Sequence, residues 1–237
     1  MPDRDRSPDG NDLLIFLPTY NESGNVAEIV RRIQALDFSA DILFIDDNSP
    51  DGTGDLLDQL TKQEKGITVI HRKARNGIGS AHREALSYAY KERYKTVITM
   101  DADLTHDPAD IPRLLSQAKD ADVVVGSRFM AGAIDKRRWR ERLSSRLSHL
   151  ATSGILGLPY DVTNAFRLYR LDRLEPSVFA GIRSRGYAFF FESLHALKIR
   201  GAEIIEIPVQ LSGRLSGKSK MRLGDSLRWA ARLMLLR

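Results

Sequence analysis

The chain has 237 residues, enough for one large α/β domain with a full hydrophobic core and barely enough for two small domains. Its 42% hydrophobic and 28% charged residues are ordinary for a globular protein, which argues against a disordered or fibrous chain. The chain contains no cysteine, and this excludes disulfides, thiolate nucleophiles and thiolate metal sites.

Residues 1–12 carry charges, two prolines and a glycine but no apolar cluster, so we expect a disordered tail followed by a single domain over residues 13–237. The tail lacks the apolar core of a signal peptide. No stretch of the chain approaches the roughly 20 apolar residues of a membrane-spanning helix. We therefore predict a cytoplasmic protein, either cytosolic or lying on a membrane surface.

The first half of the chain alternates strand and helix patterns. An apolar run at residues 13–18 is followed by apolar residues at helical spacing up to residue 36. The buried-strand pattern returns at residues 41–46, 67–71, 96–100 and 122–126. Helical patterns lie between these strands at residues 54–64, 80–91 and 110–119. This alternation predicts an α/β fold with a mainly parallel, Rossmann-like sheet flanked by helices.

The second half is less regular. We predict helices over residues 139–156, 188–198 and 221–237, and strands over residues 165–170 and 203–211. In the last helix, arginines alternate with leucine, tryptophan and methionine. This basic amphipathic pattern is typical of a helix in a bilayer interface, although packing back onto the sheet would explain it equally well.

The net charge of +5 is unevenly distributed. Six lysines and arginines fall within residues 136–146, opposed only by Glu141. Nucleic acid, anionic lipid headgroups or a phosphorylated substrate would each satisfy such a cluster. A merely solvated basic face is a further explanation, and charge alone leaves all four open.

Polar residues gather where three predicted strands end. They are residues 18–22 (PTYNE), 46–52 (DDNSPDG) and 101–103 (DAD). In open α/β sheets this carboxyl edge is where ligands bind. Asp46 and Asp47 can accept hydrogen bonds from a base or a ribose, and they can also serve the turn that follows them.

Asp101 and Asp103 are two residues apart on extended backbone, so their side chains point to the same side. They can share one divalent cation. Hard oxygen ligands suit Mg²⁺ or Mn²⁺, which would neutralise a diphosphate leaving group, whereas solvated turn residues are the ordinary alternative. Gly77 and Gly79 follow the third strand, where a tight turn is favoured because the third glycine of a dinucleotide fingerprint is missing.

Seven short motifs follow one another along nearly the whole chain after the tail. They are PTYNE, DDNSPDGT, MDADLTH, GSR, FRLYR, GYAF and R-x-x-G-x-SK, beginning at residues 18, 46, 100, 126, 166, 186 and 214. In this order they resemble the family 2 glycosyltransferases with an A-type fold and, more narrowly, the polyprenyl-phosphate (dolichyl-phosphate) mannosyltransferases. The resemblance implies inverting transfer of mannose from GDP-mannose to a polyprenyl phosphate, with Mg²⁺ or Mn²⁺ as cofactor.

The resemblance also implies roles for individual residues. In the nucleotide-sugar half, residues 13–127, the implied donor contacts are Pro18, Tyr20, Glu22, Asp46, Asp47 and Ala102. Asp101 and Asp103 are the implied metal and sugar-phosphate site, and Asp103 is also a catalytic residue.

In the acceptor half, residues 128–237, Arg128 is implied to be a catalytic phosphate ligand at the reaction centre. Arg142 and Ser145 would contact the acceptor phosphate. Arg214, Ser219 and Lys220 would form a mobile loop that closes over the donor diphosphate. The implied partners are the nucleotide-sugar, the lipid, the cytoplasmic face of a membrane through peripheral contact, and a membrane-anchoring protein, but no nucleic acid.

The chain departs from the family pattern in three places. Thr105 stands where many members have a glutamine metal ligand, so we expect water or another group to take that place. Residues 161–166 read DVTNAF where relatives read D-x-T-G-S-F or D-x-x-S-G-F, which implies a different acceptor-side loop. Ala188 replaces a lysine of some relatives, with consequences for sugar or lipid choice.

The proposed chemistry needs no strong general base, because a phosphate monoester is already largely ionised at neutral pH. The five histidines are scattered along the chain, and we expect most of them to be surface or packing residues. Three alternatives remain open: a UDP-glucose-dependent polyprenyl-phosphate glucosyltransferase, a glycosyltransferase acting on a glycan, and a nucleotide-sugar binder without turnover. Only one aromatic residue, Trp139, stands among the clustered arginines, and this scarcity disfavours nucleic-acid binding.

Overall fold

The computed structural model describes residues 12–213 and 223–236. The predicted closing-loop residues Arg214, Ser219 and Lys220 lie outside the described residues, as do residues 1–11 of the predicted tail. Asp12 belongs to the described part, and its carboxylate accepts a hydrogen bond from Lys95 Nζ at 2.8 Å.

The strands are β1 Leu13–Thr19, β2 Asp41–Asp46, β3 Ile67–His71, β4 Thr96–Thr99, β5 Val123–Ser127, β6 Ile134–Asp135, β7 Arg167–Arg170, β8 Ile204–Pro208 and β9 Gln210–Leu211. The helices are α1 Val26–Gln34, α2 Thr53–Gln63, α3 Ile78–Lys91, α4 Ile111–Gln117, α5 Trp139–Leu156, α6 Ser177–Ala180, α7 Ala188–Ile199 and α8 Leu223–Leu235. A 3₁₀ turn, Pro108–Asp110, precedes α4.

Seven strands form one sheet in the order β3-β2-β1-β4-β7-β5-β8. Only β7 runs antiparallel to its neighbours in this sheet, β4 and β5. The predicted α/β fold with a mainly parallel central sheet is therefore confirmed. Because β7 lies between two strands from the first part of the chain, residues 13–127 and residues 128–237 contribute strands to one sheet.

The continuous apolar run in β1 follows from burial on both faces of the sheet. Leu14 and Phe16 belong to one hydrophobic cluster, whereas Ile15 and Leu17 belong to the cluster on the opposite side. A strand covered by helices on both faces must be apolar at every position rather than at alternate ones. Packing on both faces fixes the position of β1 in the sheet, and therefore also the position of the residues that follow its carboxyl end.

The predicted strand over residues 203–211 is wrong as one element. The structure divides it into β8, in the large sheet, and β9, which pairs with β6 in a separate two-stranded sheet. Pro208 has no N–H to donate to a ladder. The Val209 N–H still donates to Ser127 O of β5 at 3.1 Å, whereas Val209 O accepts from the Ile134 N–H of β6 at 3.2 Å. The chain therefore changes partners at Val209.

Helix α8 packs onto the fold with one face. The Trp229 ring contacts the Phe191 ring edge-on at 5.2 Å, and Leu233 is buried. Arg232 donates to the Glu192 carboxylate on α7 at 2.5 Å. One face of α8 therefore packs onto the fold, as one of the two explanations of its sequence pattern predicted. The other face leaves the apolar side chains of Leu227 and Met234 exposed. None of the helices in the described ranges has the length and hydropathy needed to cross a membrane.

Candidate active site

The carboxyl ends of β1, β2 and β4 border a cavity of about 870 Å³, within the size range of small-molecule sites. The predicted site residues that line it are Pro18, Tyr20, Glu22, Asp47, Asp101, Ala102 and Asp103. Because β1 pairs with both β2 and β4 in parallel, the residues that follow these three strands meet at one edge. The sheet thus brings the three polar segments together.

Asp46 and Asp47 occupy different environments. Asp46 accepts hydrogen bonds from Thr19 Oγ1 at 3.2 Å and from the Ser49 backbone N–H at 2.9 Å. Its carboxylate is buried and does not line the cavity, so it holds the turn after β2. The predicted donor contact of Asp46 therefore finds no support in its position, whereas Asp47 does line the cavity.

Asp47 is held by an ion pair and a backbone hydrogen bond. Arg72 Nη1 donates to its Oδ1 at 2.8 Å, and the Gly77 N–H donates to its Oδ2 at 2.9 Å. The same guanidinium donates to Glu84, and only 6% of the Arg72 side chain is exposed. An ionised carboxylate has about four lone-pair sites, so Asp47 keeps acceptor capacity for a ligand while its orientation is fixed.

Two further side chains shape this end of the cavity. The Arg75 guanidinium lies 4.3 Å from the centre of the Tyr20 ring, a cation–π arrangement. The Glu22 carboxylate accepts a hydrogen bond from Asn25 Nδ2 at 2.7 Å. An aromatic face beside carboxylates provides stacking and hydrogen-bond acceptors, which is the combination that a nucleoside needs.

Gly77 forms the tight turn expected from the sequence and also allows another segment of the chain to pack closely against that turn. Its φ of 92° is in the left-handed region, and a Cβ there would lie 2.7 Å from Arg185 O. This absence of a side chain allows residues 184–188 to pack against the turn and to line the cavity with it. Sequence reasoning missed this contact because no local pattern links the two segments.

The two acids after β4 lie in a closed loop. Asp103 Oδ1 accepts the Thr105 N–H at 3.0 Å, and Leu104 has a positive φ of 60°. The Thr105 hydroxyl oxygen is buried without a hydrogen-bond partner. Two carboxylates beside an unsatisfied hydroxyl suit a hard divalent cation. No group of three or more His, Asp and Glu side chains in the described ranges could hold one, so a bound ligand or water would complete its coordination.

Arg128 is placed by a buried ion pair. Its Nε and Nη2 donate to the two carboxylate oxygens of Asp161 at 2.6 and 2.5 Å, and Nη1 donates to Ser145 Oγ at 3.0 Å. Burial alone would raise the pKa of the Asp161 carboxyl, but the charge of Arg128 and the hydrogen bonds from it together hold that pKa below its usual value. Burial also opposes the Arg128 charge, yet Asp161 raises the pKa of Arg128.

A second arginine approaches the same serine. Arg137 forms a bidentate pair with Asp135, and its Nη2 lies 3.3 Å from Ser145 Oγ. The predicted residues Arg128 and Ser145 are thus brought together, with Arg137 as a partner that sequence reasoning left in a general basic cluster. Arg142 is exposed on α5 and belongs to neither this group nor the cavity lining.

The chain is similar in sequence to known glycosyltransferases. Residues 14–191 match the model of glycosyl transferase family 2. The chain is 33% identical over 221 residues to a polyprenol monophosphomannose synthase of Mycolicibacterium smegmatis, covering 92% of this chain and 83% of that protein. It is 33% identical over 215 residues to an undecaprenyl-phosphate mannosyltransferase of Micrococcus luteus, covering 90% of this chain and 88% of that protein.

Solved structures share the fold at lower identity. Glucosyl-3-phosphoglycerate synthase of Mycobacterium tuberculosis, in complex with Mn²⁺, UDP and glucosyl-3-phosphoglycerate, superposes with a TM-score of 0.70 at 16% identity. The match covers 96% of this chain and 80% of that one. The predicted resemblance is confirmed by the family match and by the two relatives. The chain therefore belongs to glycosyltransferase family 2, and it is a glycosyltransferase.

Proposed function

We propose that this enzyme transfers mannose from GDP-mannose to the phosphate of a polyprenyl lipid, with inversion at the anomeric carbon. The observation that carries the proposal is the juxtaposition of the acidic cavity with Arg128 and Ser145. A series of hydrogen bonds joins the two groups: His106 connects the Asp101 backbone N–H to Asn164, and Asn164 Nδ2 donates to Gly126 O, two residues before Arg128. The names of the two mannosyltransferase relatives supply the sugar and the lipid.

On the donor side, the nucleoside would lie against Tyr20 with Asp47 and Glu22 as hydrogen-bond acceptors. The diphosphate would extend towards Asp101 and Asp103. These carboxylates, with the Thr105 hydroxyl beside them, would hold Mg²⁺ or Mn²⁺, and the bound ion would neutralise the charge of the leaving nucleoside diphosphate.

On the acceptor side, the lipid phosphate would contact Arg128, Arg137 and the Ser145 hydroxyl. Each guanidinium is already oriented by an aspartate, Asp161 or Asp135. Bidentate arginines are suited to phosphate recognition because their donors are fixed in one plane. Pre-oriented donors stabilise charge without reorganising when the reaction occurs.

In the reaction, an oxygen of the lipid phosphate attacks the anomeric carbon. The new C–O bond forms as the bond to the donor diphosphate breaks, and GDP leaves with that electron pair. The attacking oxygen is already ionised, so no protein side chain has to remove a proton. Catalysis then comes from positioning and electrostatic stabilisation by the residues described above.

We further propose that α5 makes the peripheral membrane contact. Trp139, Leu143, Leu147 and Leu150 are between 48% and 67% exposed and fall on one side of the helix, given 3.6 residues per turn. The exposed Arg140 and Arg146 flank this apolar stripe. An exposed apolar stripe with basic flanks is suited to an anionic bilayer surface, and it would hold Ser145 near the lipid headgroups.

An acceptor panel tests the proposal. Purified enzyme with GDP-mannose and Mn²⁺ is offered a polyprenyl phosphate, the corresponding polyprenol without phosphate, and a soluble mannoside. Of the three acceptors, we expect only the polyprenyl phosphate to give a mannosyl product. Its configuration should be β, because inversion of GDP-α-mannose gives that anomer. Product from the mannoside but not from the lipid would instead assign a glycan acceptor.

A further inference from the structure

His106 closes the loop that carries the two aspartates. Its Nδ1 lies 3.0 Å from the Asp101 backbone N, at the other end of the loop, and its ring is 2% exposed. The ring stacks on Phe166 with a centroid distance of 5.2 Å. His106 is therefore neither a surface histidine nor only a packing residue, in contrast to the expectation for most histidines of the chain.

The hydrogen bonds fix the tautomer of His106. The Asp101 backbone N–H can only donate, so Nδ1 accepts and the ring proton is on Nε2. This Nε2–H donates to Asn164 Oδ1 at 2.7 Å. Each ring nitrogen thus has one partner of the correct polarity, and the ring orientation is determined.

Asn164 extends the chain of hydrogen bonds to a second strand. Its Nδ2 donates to Gly126 O at 2.5 Å, in the β5 segment that leads to Arg128. Asn164 is 2% exposed. Its side-chain amide can accept from His106 and donate to Gly126 at the same time, because it carries both a carbonyl oxygen and an NH₂ group.

We propose that His106 and Asn164 are positioning residues that fix the Asp101 loop relative to the β5 segment, so that Asp101 and Asp103 are held for cation and diphosphate binding. The inference rests on the proposed metal-dependent transfer. It gives Asn164 a specific role, which is to connect His106 to the backbone of β5. The two residues act through Asp101 and not on the substrate.

Three variants distinguish the contributions of the two hydrogen bonds made by the His106 ring. His106→Asn places an acceptor oxygen near the position of Nδ1, His106→Gln retains a polar group near Nε2 only, and Asn164→Ala removes the second partner. Mn²⁺ binding to each protein is measured with GDP present by electron paramagnetic resonance, together with kcat, the KM values for donor and acceptor, and Tm.

We expect His106→Gln and Asn164→Ala to weaken Mn²⁺ binding at least fivefold and to raise the donor KM, while the acceptor KM stays within twofold of wild type. His106→Asn keeps an acceptor for the Asp101 N–H but loses the bond to Asn164, so it should bind Mn²⁺ more tightly than His106→Gln and less tightly than wild type, a partial rescue that a packing role alone would not produce. Unchanged Mn²⁺ binding in both His106→Gln and Asn164→Ala would overturn the inference. Failure of the wild type to bind Mn²⁺ or to transfer sugar would overturn the proposed function and this inference with it.

Discussion

The proposed donor and acceptor sides of the site are built differently. On the donor side, Asp47 and Asp103 are buried and hydrogen-bonded, at the edge of a sheet that is covered on both faces. On the acceptor side, Arg128 is equally enclosed, but α5 beside it exposes Trp139 and Leu147 to solvent. The proposed donor side is thus enclosed by the fold, whereas the proposed acceptor side presents a surface that the described residues leave uncovered.

This difference follows from the substrates in the proposed reaction. A nucleotide-sugar is water-soluble and can be enclosed by a preformed cavity. A polyprenyl phosphate remains in a bilayer, so its phosphate must be reached from a surface. We therefore expect variants on the donor side to lower the rate of sugar transfer. Variants on the α5 stripe should instead weaken binding to the membrane.

The largest effect is expected for Asp103→Asn. The change keeps the side chain's size but removes a charge that the proposed cation and diphosphate site needs. Turnover should fall by about three orders of magnitude, in the range seen for the loss of a transition-state electrostatic partner, with little change in Tm. Initial-rate transfer assays and thermal unfolding measure both quantities. Turnover within tenfold of wild type would remove Asp103 from the mechanism.

Arg128→Ala should reduce both turnover and stability. It leaves the fully buried Asp161 carboxylate without its counter-charge, which destabilises by about 3–5 kcal/mol for a buried pair. Chemical denaturation measures the free energy of unfolding. The matched control is the double variant Arg128→Ala/Asp161→Ala, which should regain stability but not turnover. If the double variant recovers turnover, Arg128 has no role at the reaction centre.

The α5 stripe is tested by Leu143→Ser together with Leu147→Ser. We expect co-sedimentation with anionic vesicles to weaken at least tenfold, because two exposed leucines would lose their burial in the bilayer. Transfer to a short-chain, detergent-dispersed acceptor should be unchanged. Leu56→Ser on α2 is the control, since Leu56 is an exposed leucine outside α5. Equal vesicle binding by the pair variant and the control would exclude α5 as the membrane contact.

At neutral pH the smallest effect is expected for His82, which is buried between the rings of Phe16, Phe189 and Phe190. Burial lowers the pKa of His82 to about 3. Its unfolded pKa is about 6.5, so below that pH the unfolded chain binds a proton that the folded chain does not. The titration of His82 therefore leaves the free energy of unfolding unchanged above about pH 7. It lowers that free energy as the pH drops further, by up to about 1.4 kcal/mol per pH unit.

The measurement for His82 is the free energy of unfolding between pH 4 and pH 8, compared with that of His82→Met. The methionine variant lacks the titrating group, so the wild type should lose stability relative to it as the pH falls. Parallel curves across this range would show that His82 is protonated in the folded state or that it is not buried.

The sequence predicted those parts of the molecule that depend on local pattern. The buried strands and the polar residues after β1, β2 and β4 could be placed because strand ends of a parallel sheet share an edge. The hydrogen bonds that Asp46 accepts from Thr19 and Ser49 could not be predicted, because they arise only in the folded turn. The Asp161 and Asn164 contacts join segments far apart in sequence, and no period or spacing reports such pairs.

The central claim is tested most directly by following label from GDP-[¹⁴C]mannose into a polyprenyl phosphate, with UDP-[¹⁴C]glucose in parallel and with Mn²⁺ replaced by chelator in matched reactions. We predict label in the organic phase only with GDP-mannose and metal. Label from UDP-glucose alone, or transfer from GDP-mannose that persists in chelator, would contradict the proposed donor or the proposed metal site respectively.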